Sequence, residues 1–330
     1  CLATPLYTPI SPGFPLALAR ALREFRPQLL HLHLPNPSCF AALASPAARR
    51  LPWIVQWQAD VPHDVPDWRL RAAYRFYRPF EQAVLRRAHA VIATSGAYRD
   101  ASRALQPWLG KVRVVPLGIG PGNVPPPSMP SAADAGTAAA WPAGGGLRLL
   151  AVGRLTYYKG FDVLLRGLAQ LAQARLLLVG QGECEAKLRA LTETLGLQER
   201  VRFAGHLDDA ALDAAYAGAD VFVLPSLDRS ESFGMVLLEA MRARLPVVAS
   251  AIPGSGVGEV VAAGETGLLV PPGDSRALAA AIERLQDAGL RETLGRAGRA
   301  RWADRYTLTA SAGAIEDIYR DALANDPSLA

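Results

Sequence analysis

Short apolar runs alternate with longer stretches of helical spacing along the first third of the chain. The predicted buried strands are 29–34, 53–57, 90–94 and 112–117. The predicted helices between them are 37–49, 69–88 and 96–106. Strands that alternate with helices favour a parallel sheet with helices on both faces, because each parallel connection has to cross over the sheet.

The same alternation returns from residue 147 to the end of the chain. The predicted strands are 147–152, 174–179, 201–205, 220–225, 246–250 and 266–270. The predicted helices are 160–173, 183–195, 209–218, 234–243, 275–287, 290–303 and 309–324. We therefore expect two doubly wound α/β domains in tandem, and ligands in such sheets bind beyond the carboxyl ends of the strands.

Residues 121–146 separate the two patterns. Six Pro, five Gly and seven Ala fill 18 of these 26 positions without periodicity. Because prolines and glycines interrupt regular structure, this composition is typical of a linker.

Composition limits the class of protein further. The 330 residues are 50% apolar and 20% charged, which excludes a disordered chain, and no apolar run approaches the roughly 20 residues of a membrane-spanning helix. Cys1, Cys39 and Cys184 are too few for a disulfide framework, which predicts a reducing, cytosolic compartment. No segment resembles a signal peptide, and a chain that opens with Cys1 is expected to lack its true start.

Charge is divided unevenly between the two halves. Residues 1–145 carry 15 Lys and Arg against 7 Asp and Glu, whereas residues 146–330 carry 20 against 23. A basic half predicts a polyanionic partner. Since only three of the 35 cations are lysines and no basic run is interleaved with aromatic residues, phosphate or an anionic membrane is favoured over nucleic acid.

Three loops of the second half carry candidate chemistry. After its first strand, GRLTYYKG places Gly153, Arg154 and Lys159 at the mouth of the sheet. Two cations there suit a diphosphate, but ordinary surface cations on a loop would give the same pattern. After the fourth strand, SLDRSESFGMVLLEAM begins a helix whose free N–H groups face the same mouth. Glu231 precedes this helix. Glu239 lies within it, on an apolar stretch, and needs a partner such as ribose hydroxyls, a backbone amide or a buried arginine.

The third loop, AIPGSGVGEV, has the glycine spacing of a phosphate-binding loop but follows the fifth strand of its domain. No acidic residue stands about 20 positions further on to bind a ribose, so a nicotinamide cofactor is disfavoured.

Together these motifs, with GETGLLVPPGD, resemble the family-4 retaining glycosyltransferases of GT-B architecture, whose signature includes two glutamates separated by seven residues. HLHLPNP, WQADV, RRAHAVIATS and VPLGI are similar to the subset that adds mannose to lipid-linked exopolysaccharide intermediates. The resemblance implies two Rossmann-like domains facing a cleft. Residues 1–120 would bind the acceptor, apparently without their first strand, 147–305 would bind the donor, and a C-terminal helix in 306–330 would cross back to the first domain.

The resemblance also assigns roles to residues. Glu231, Lys159, Arg154 and Asp60 would be catalytic. The donor would be bound by Gly153, Arg154, Lys159, Gly205, His206, Glu231, Ser232, Phe233, Gly234, Met235, Val236 and Glu239. The sugar would transfer with retention by front-face attack, with no metal and no cofactor other than the nucleotide sugar as co-substrate; no DxD motif occurs in the sequence.

Two features of the first half bear on turnover and location. Gln58 stands where the family has histidine in WHxD, and the chain begins after the position of the family's glycine-rich loop. Arg71, Arg75 and Arg78 form a stripe on the helix at 69–88, which fits either an anionic membrane or acceptor contact or a solvated helix face. Pro79 is expected to divide this helix in two.

The leading hypothesis is a peripheral enzyme at the cytoplasmic face of the membrane that transfers mannose from GDP-mannose to a lipid-linked or polysaccharide acceptor. A UDP-glucose-type donor with another acceptor remains an alternative, and so does a non-catalytic nucleotide-sugar-binding fragment.

Overall fold

The computed structural model of the chain describes residues 11–61, 68–122 and 141–324. The expected missing start at Cys1 and most of the predicted linker lie outside these ranges. The chain divides into two compact units, of which the first comprises residues 1–116 with 311–330 and the second residues 117–310.

The first unit contains a parallel four-stranded sheet in the order β1-β2-β3-β4. Its strands are β1 (Leu30–Leu34), β2 (Trp53–Trp57), β3 (Ala90–Ala93) and β4 (Val112–Val114). Its helices are α1 (Phe14–Phe25), α2 (Ala41–Ala44), α3 (Trp68–Arg87) and α4 (Gly96–Ala101). The single helix predicted at 37–49 is instead α2 flanked by 3-10 turns at Pro37–Phe40 and Ala48–Arg50, and the one predicted at 96–106 ends at Ala101, before a 3-10 turn at Gln106–Lys111.

Helix α3 continues through Pro79, so the prediction that this proline divides the helix is wrong. Contacts on both sides of the proline hold the helix together. The Tyr77 ring lies 5.0 Å from the Phe40 ring, and the Tyr74 hydroxyl donates to the buried carboxylate of Glu81 at 3.1 Å, across the turn that contains Pro79. One contact within the helix and one with a neighbouring element thus offset the lost backbone hydrogen bond.

The second unit contains a parallel six-stranded sheet in the order β10-β9-β8-β5-β6-β7. Its strands are β5 (Leu147–Val152), β6 (Ala174–Val179), β7 (Val201–Gly205), β8 (Val221–Leu224), β9 (Val247–Ser250) and β10 (Gly267–Val270). Its helices are α5 (Phe161–Leu168), α6 (Glu185–Thr194), α7 (Asp209–Gly218), α8 (Met235–Arg242), α9 (Val257–Val260), α10 (Ser275–Arg284) and α11 (Ala288–Arg305).

Both faces of the second sheet are buried, as the continuous apolar runs predict. Leu149 and Leu176 point into one hydrophobic cluster, and their neighbours Leu150 and Leu177 point into another on the opposite face. The predicted fold class, two α/β domains that are each built on a parallel sheet, is confirmed.

The last helix, α12 (Leu308–Ala324), packs on the sheet of the first unit. Ile315 and Ile318 contact a small cluster that contains Ile54 and Ile92 of β2 and β3. The Tyr319 hydroxyl also lies 2.5 Å from Nδ1 of His31 on β1. Burial at this contact, with a smaller contribution from neighbouring His33, lowers the pKa of His31 to about 4.

Candidate active site

The strand order of the second sheet reverses at β5, which pairs with β6 on one side and β8 on the other. At such a switch point the loops that follow the two central strands leave in opposite directions and open a space for a ligand. Lys159 lies in the loop after β5, and Glu231 lies in the loop after β8. Their side chains meet there, with Nζ of Lys159 2.6 Å from Oε2 of Glu231.

Both members of this pair are buried, Lys159 at 8% and Glu231 at 7% exposure. The carboxylate also accepts from the Ser226 hydroxyl, which lies 2.9 Å from the same Oε2. Removing one partner of a buried pair leaves the other charge uncompensated, so each group holds the other in place. The loops therefore present a fixed ammonium and a fixed carboxylate.

Glycines allow the first of these loops to approach the second. Gly160 follows Lys159 with φ +63°, and a Cβ there would lie 2.1 Å from the carbonyl oxygen of Pro225. The backbone N–H of Leu227 donates to the carbonyl of Tyr158 at 2.7 Å, which joins the two loops directly. A Cβ at Gly153 would lie 3.2 Å from Cε of Lys159, so this glycine makes room for the lysine side chain.

The loop after β9 completes the site from a third side. The Ser255 hydroxyl donates to the backbone carbonyl of Glu231, and the N–H of Gly256 donates to the carbonyl of Ser232 at 2.8 Å. The third glycine-containing loop thus supports the backbone around Glu231.

Helix α8 begins directly after the glutamate loop. Gly234 occupies the N-cap position with φ +83°, and it has no side chain that could accept from the first N–H groups. The ring of Phe233 is buried against Tyr306, with centroids 6.1 Å apart, whereas Met235 is 37% exposed and Ser232 and Val236 are partly exposed. Free N–H groups and the positive end of the helix dipole favour a bound anion.

Glu239 has a protein partner that the sequence did not indicate. The Tyr216 hydroxyl donates to its Oε2 at 2.6 Å. Burial raises the pKa of the Glu239 carboxyl, while this hydrogen bond and the positive charge of Arg242 partly oppose the increase. Arg242 itself pairs with Asp213 at 3.0 Å. The hydroxyl leaves the rest of the carboxylate for another donor.

Not all predicted donor-binding residues meet at this pair. Arg154 is exposed in the loop after β5, and His206 is exposed beyond Gly205 at the end of the edge strand β7. Within the described residues, neither His206 nor Glu239 forms a hydrogen bond with Lys159 or Glu231. These side chains surround the carboxyl edge of the sheet rather than forming one cluster.

The first unit carries a separate polar group at the end of β2. Asp60 accepts from the Ser102 hydroxyl at 2.5 Å and from the Trp57 indole N–H at 3.1 Å, while its own backbone N–H donates to the Tyr98 hydroxyl at 2.7 Å. Gln58 is exposed, with its amide nitrogen 3.2 Å from Nδ1 of His33. Asp60 is thereby held in one orientation.

Sequence reasoning missed three groups that shape the site: Ser226, Ser255 and Tyr216. The sequence could have indicated Tyr216, because it is the only aromatic residue in the alanine-rich helix DAALDAAYAG. The serines stand among several polar loop residues, and nothing in their spacing distinguishes them.

The described ranges contain neither a cluster of metal ligands nor a membrane-spanning helix. In those ranges, no three His, Cys, Asp or Glu side chains come close enough together to bind a metal ion. None of the helices there has the length and apolar character needed to cross a bilayer.

Comparison with known proteins covers both units. A family model described as glycosyl transferases group 1 matches residues 142–301, and one described as a glycosyl transferase 4-like domain matches residues 3–118. The D-rhamnosyltransferase WbpZ of Pseudomonas aeruginosa is 31% identical over 90% of this chain and 75% of its own length. O-antigen chain mannosyltransferase C of Escherichia coli is 29% identical over 91% of this chain and 78% of its own length.

A solved structure is also similar to this chain over nearly its whole length. Sucrose-phosphate synthase from Thermosynechococcus elongatus superposes with a TM-score of 0.76 at 30% identity, covering 98% of this chain and 82% of that one. The resemblance to glycosyltransferases of GT-B architecture that the motifs carry is confirmed.

Proposed function

The chain belongs to the group 1 glycosyltransferases, and from this premise we propose that it transfers a hexose, mannose from GDP-mannose, to a lipid-linked or polysaccharide acceptor. The observation that carries the proposal is the Lys159–Glu231 pair at the switch point, beside the uncapped N-terminus of α8. A cation and free N–H groups suit a diphosphate, and a carboxylate suits sugar hydroxyls. A nucleotide sugar contains both.

The proposed reaction proceeds with retention. The bond between the anomeric carbon and the diphosphate breaks, the acceptor oxygen bonds to the same face of that carbon, and the acceptor's proton passes to the leaving phosphate. Lys159 and Arg154 stabilise the negative charge that grows on the diphosphate. Glu231 orients the sugar, Glu239 accepts from the ribose hydroxyls, and Asp60 orients the acceptor. We propose no metal in this scheme, since two cations and a helix N-terminus supply the positive charge.

The acceptor and the location extend the same proposal. The first unit's sequence carries the positive excess, which favours an acceptor attached to a phosphorylated lipid at the anionic cytoplasmic leaflet. Mannose is favoured by the likeness to O-antigen chain mannosyltransferase C and by the motifs HLHLPNP and VPLGI. The product would then enter the assembly of an exopolysaccharide.

A donor panel tests this function. We expect release of GDP from GDP-mannose by the full chain, faster than release of UDP from UDP-glucose, and undiminished in EDTA. NMR of the product should show an α-mannosidic linkage. Faster turnover of UDP-glucose would favour the alternative donor, and activity that EDTA abolishes and Mg²⁺ or Mn²⁺ restores would contradict the metal-free scheme.

Gln58 favours one second candidate, a protein that binds nucleotide sugars without turning them over. A glutamine donates and accepts hydrogen bonds but does not become charged. Binding of GDP-mannose by calorimetry without release of nucleotide under any acceptor condition would support this candidate. Turnover by the wild-type chain would exclude it.

A further inference from the structure

Helix α3 of the first unit borders a surface cavity of about 620 Å³. Its lining residues are Tyr74, Arg75, Arg78, Pro79, Gln82, Arg103 and Ala104. Three of the seven are arginines and none is acidic. The volume falls in the range of small-molecule sites, and it exceeds what a single inorganic phosphate would fill.

The walls of this cavity are tied together. Gln82 on α3 donates from Nε2 to the carbonyl of Ala104 at 3.1 Å and accepts at Oε1 from the Trp108 indole at 2.8 Å. Both ends of its amide are therefore used within the protein. The helix and the segment that carries Arg103 are fixed to each other, and this spacing sets the separation of the arginines.

The arginines themselves face solvent. Arg75, Arg78 and Arg103 are all exposed, and guanidinium groups form forked hydrogen bonds to phosphate oxygens. Tyr74 donates to the buried carboxylate of Glu81, and burial, together with the charge of that carboxylate, raises the pKa of the tyrosine. A cavity of this composition selects a ligand with several negative charges.

Apolar groups follow on the same helix. Phe76 is 79% exposed, Phe80 53% and Trp68 66%. Exposed aromatic residues on one helix surface mark contact with an apolar partner. A ligand with a phosphorylated head and a hydrocarbon chain would satisfy both features at once.

The cavity also adjoins the polar group of the first unit. Ser102, whose hydroxyl donates to Asp60, directly precedes Arg103 in the chain. A head group bound by the arginines would thus place whatever it carries near Asp60.

We propose that this cavity binds the diphosphate of a lipid-linked acceptor, with the lipid chain lying along the exposed aromatic residues of α3. The proposal rests on the proposed function, of which it identifies the acceptor-side anchor. It differs from general attraction to a membrane because only Arg75, Arg78 and Arg103 line the cavity, whereas other exposed arginines of the same unit do not.

The test measures binding of farnesyl diphosphate, inorganic pyrophosphate and GDP to the full chain by calorimetry. The cavity variant is R75Q/R78Q/R103Q, and the matched control is R23Q/R50Q/R86Q, three exposed arginines of the same unit outside the cavity. We expect the cavity variant to weaken farnesyl diphosphate binding at least tenfold and the control less than twofold. GDP binding, which belongs to the second unit, should be equal in both variants. Circular dichroism and thermal unfolding show that the first unit of each variant is folded.

Equal weakening in both variants would mean unspecific attraction, and no weakening in either would mean that the cavity is not used; each overturns the proposal. Pyrophosphate that binds as tightly as farnesyl diphosphate would make the ligand a free phosphate and overturn the lipid assignment. Because the readout is binding, failure of glycosyl transfer leaves this test valid, and loss of GDP binding in the wild type would count against the proposed function alone.

Discussion

At the scale of single residues, Lys159 is expected to act on catalytic turnover more than on binding of the donor. Charge on the leaving diphosphate increases as the glycosidic bond breaks, so a fixed cation favours the transition state over the bound donor. We expect Lys159→Ala to lower kcat about 10²–10³-fold with a smaller change in donor KM. Steady-state kinetics at a temperature well below the melting point of the variant measure both constants.

The chain offers a matched control for this change. Lys187 is exposed on α6, and Lys187→Ala should leave both constants unchanged. Lys159→Arg keeps the positive charge and should recover part of kcat. A raised KM with unchanged kcat in Lys159→Ala would show that the lysine only binds the donor.

We expect replacement of Glu239 to have opposite effects on the stability of the fold and on donor affinity. Its pKa is raised on folding, so the folded chain holds the proton more tightly and the stability that this carboxyl contributes is greatest below its unfolded pKa. That stability decreases as the pH rises, until the folded carboxyl is ionised as well. Glu239→Gln removes the penalty and should raise the melting temperature at pH 7.

The same substitution removes the carboxylate proposed for the ribose. We expect donor affinity to decrease roughly 10–100-fold, on the scale of a hydrogen bond to a charged group. Calorimetry with GDP measures the affinity, and thermal unfolding at pH 5 and pH 7 measures the stability. Unchanged affinity would remove Glu239 from the donor site.

The sequence identifies several residues of this site, but it does not show which of them contact each other. The sequence placed Lys159, Glu231 and Glu239 at one edge of one sheet. Whether two of them touch depends on β8 lying beside β5, and no local pattern encodes strand order. Tyr216 was missed for a similar reason, because it donates to a glutamate on another helix. Ser226 lies in the same loop as Glu231, and it was missed because nothing in the spacing of that loop distinguishes it from the other polar residues.

At the scale of elements, the turn after β5 depends on Gly160. With φ +63° and the Pro225 carbonyl oxygen 2.1 Å from a hypothetical Cβ, Gly160→Ala forces the backbone to move. We expect a loss of at least about 2 kcal/mol in the free energy of unfolding, plus lower kcat/KM since Lys159 is the adjacent residue. Denaturant unfolding and donor kinetics measure the two effects.

Gly258 in α9 provides the control, because a Cβ there would meet no atom within 4 Å. Gly258→Ala should be neutral or slightly stabilising, since it restricts the unfolded chain. Equal stability of the two alanine variants would show that the turn tolerates a side chain.

Elements were predicted well where apolar runs were continuous and less well where helices were short. The ten predicted strands all occur. The central strands β2, β3 and β8 are buried along their whole length, which gives an unbroken apolar signal. α1 was not predicted, and 37–49 was predicted as one helix although turns break it. The prediction at Pro79 failed in the other direction, since the contact of Tyr77 with Phe40 that supports α3 is not local.

At the scale of the whole molecule, the charge division predicts reversible attraction to an anionic bilayer. Each Lys or Arg near such a surface contributes about 1 kcal/mol, within a screening distance of roughly 8–10 Å. We expect the full chain to sediment with phosphatidylglycerol vesicles at low salt and much less at high salt. R71Q/R75Q/R78Q should sediment less than wild type.

The matched control removes three exposed arginines from the second unit, as R276Q/R284Q/R296Q, with the same change in net charge. It should sediment like the wild type. Equal sedimentation of the two variants, or no preference over neutral phosphatidylcholine vesicles, would show that the stripe on α3 is only solvated.

The position of α12 has a consequence for synthesis of the protein. The apolar face of Ile54 and Ile92 is synthesised before the second unit, and the helix that covers it is synthesised only after that unit. At about 5–20 residues per second, roughly 200 intervening residues leave that face uncovered for some 10–40 s. Proteolysis of ribosome-stalled chains should therefore cut the first unit readily until residues beyond 308 have emerged. The nascent chain would depend on chaperones throughout this interval, and its first unit would reach its final stability only when α12 has emerged from the ribosome.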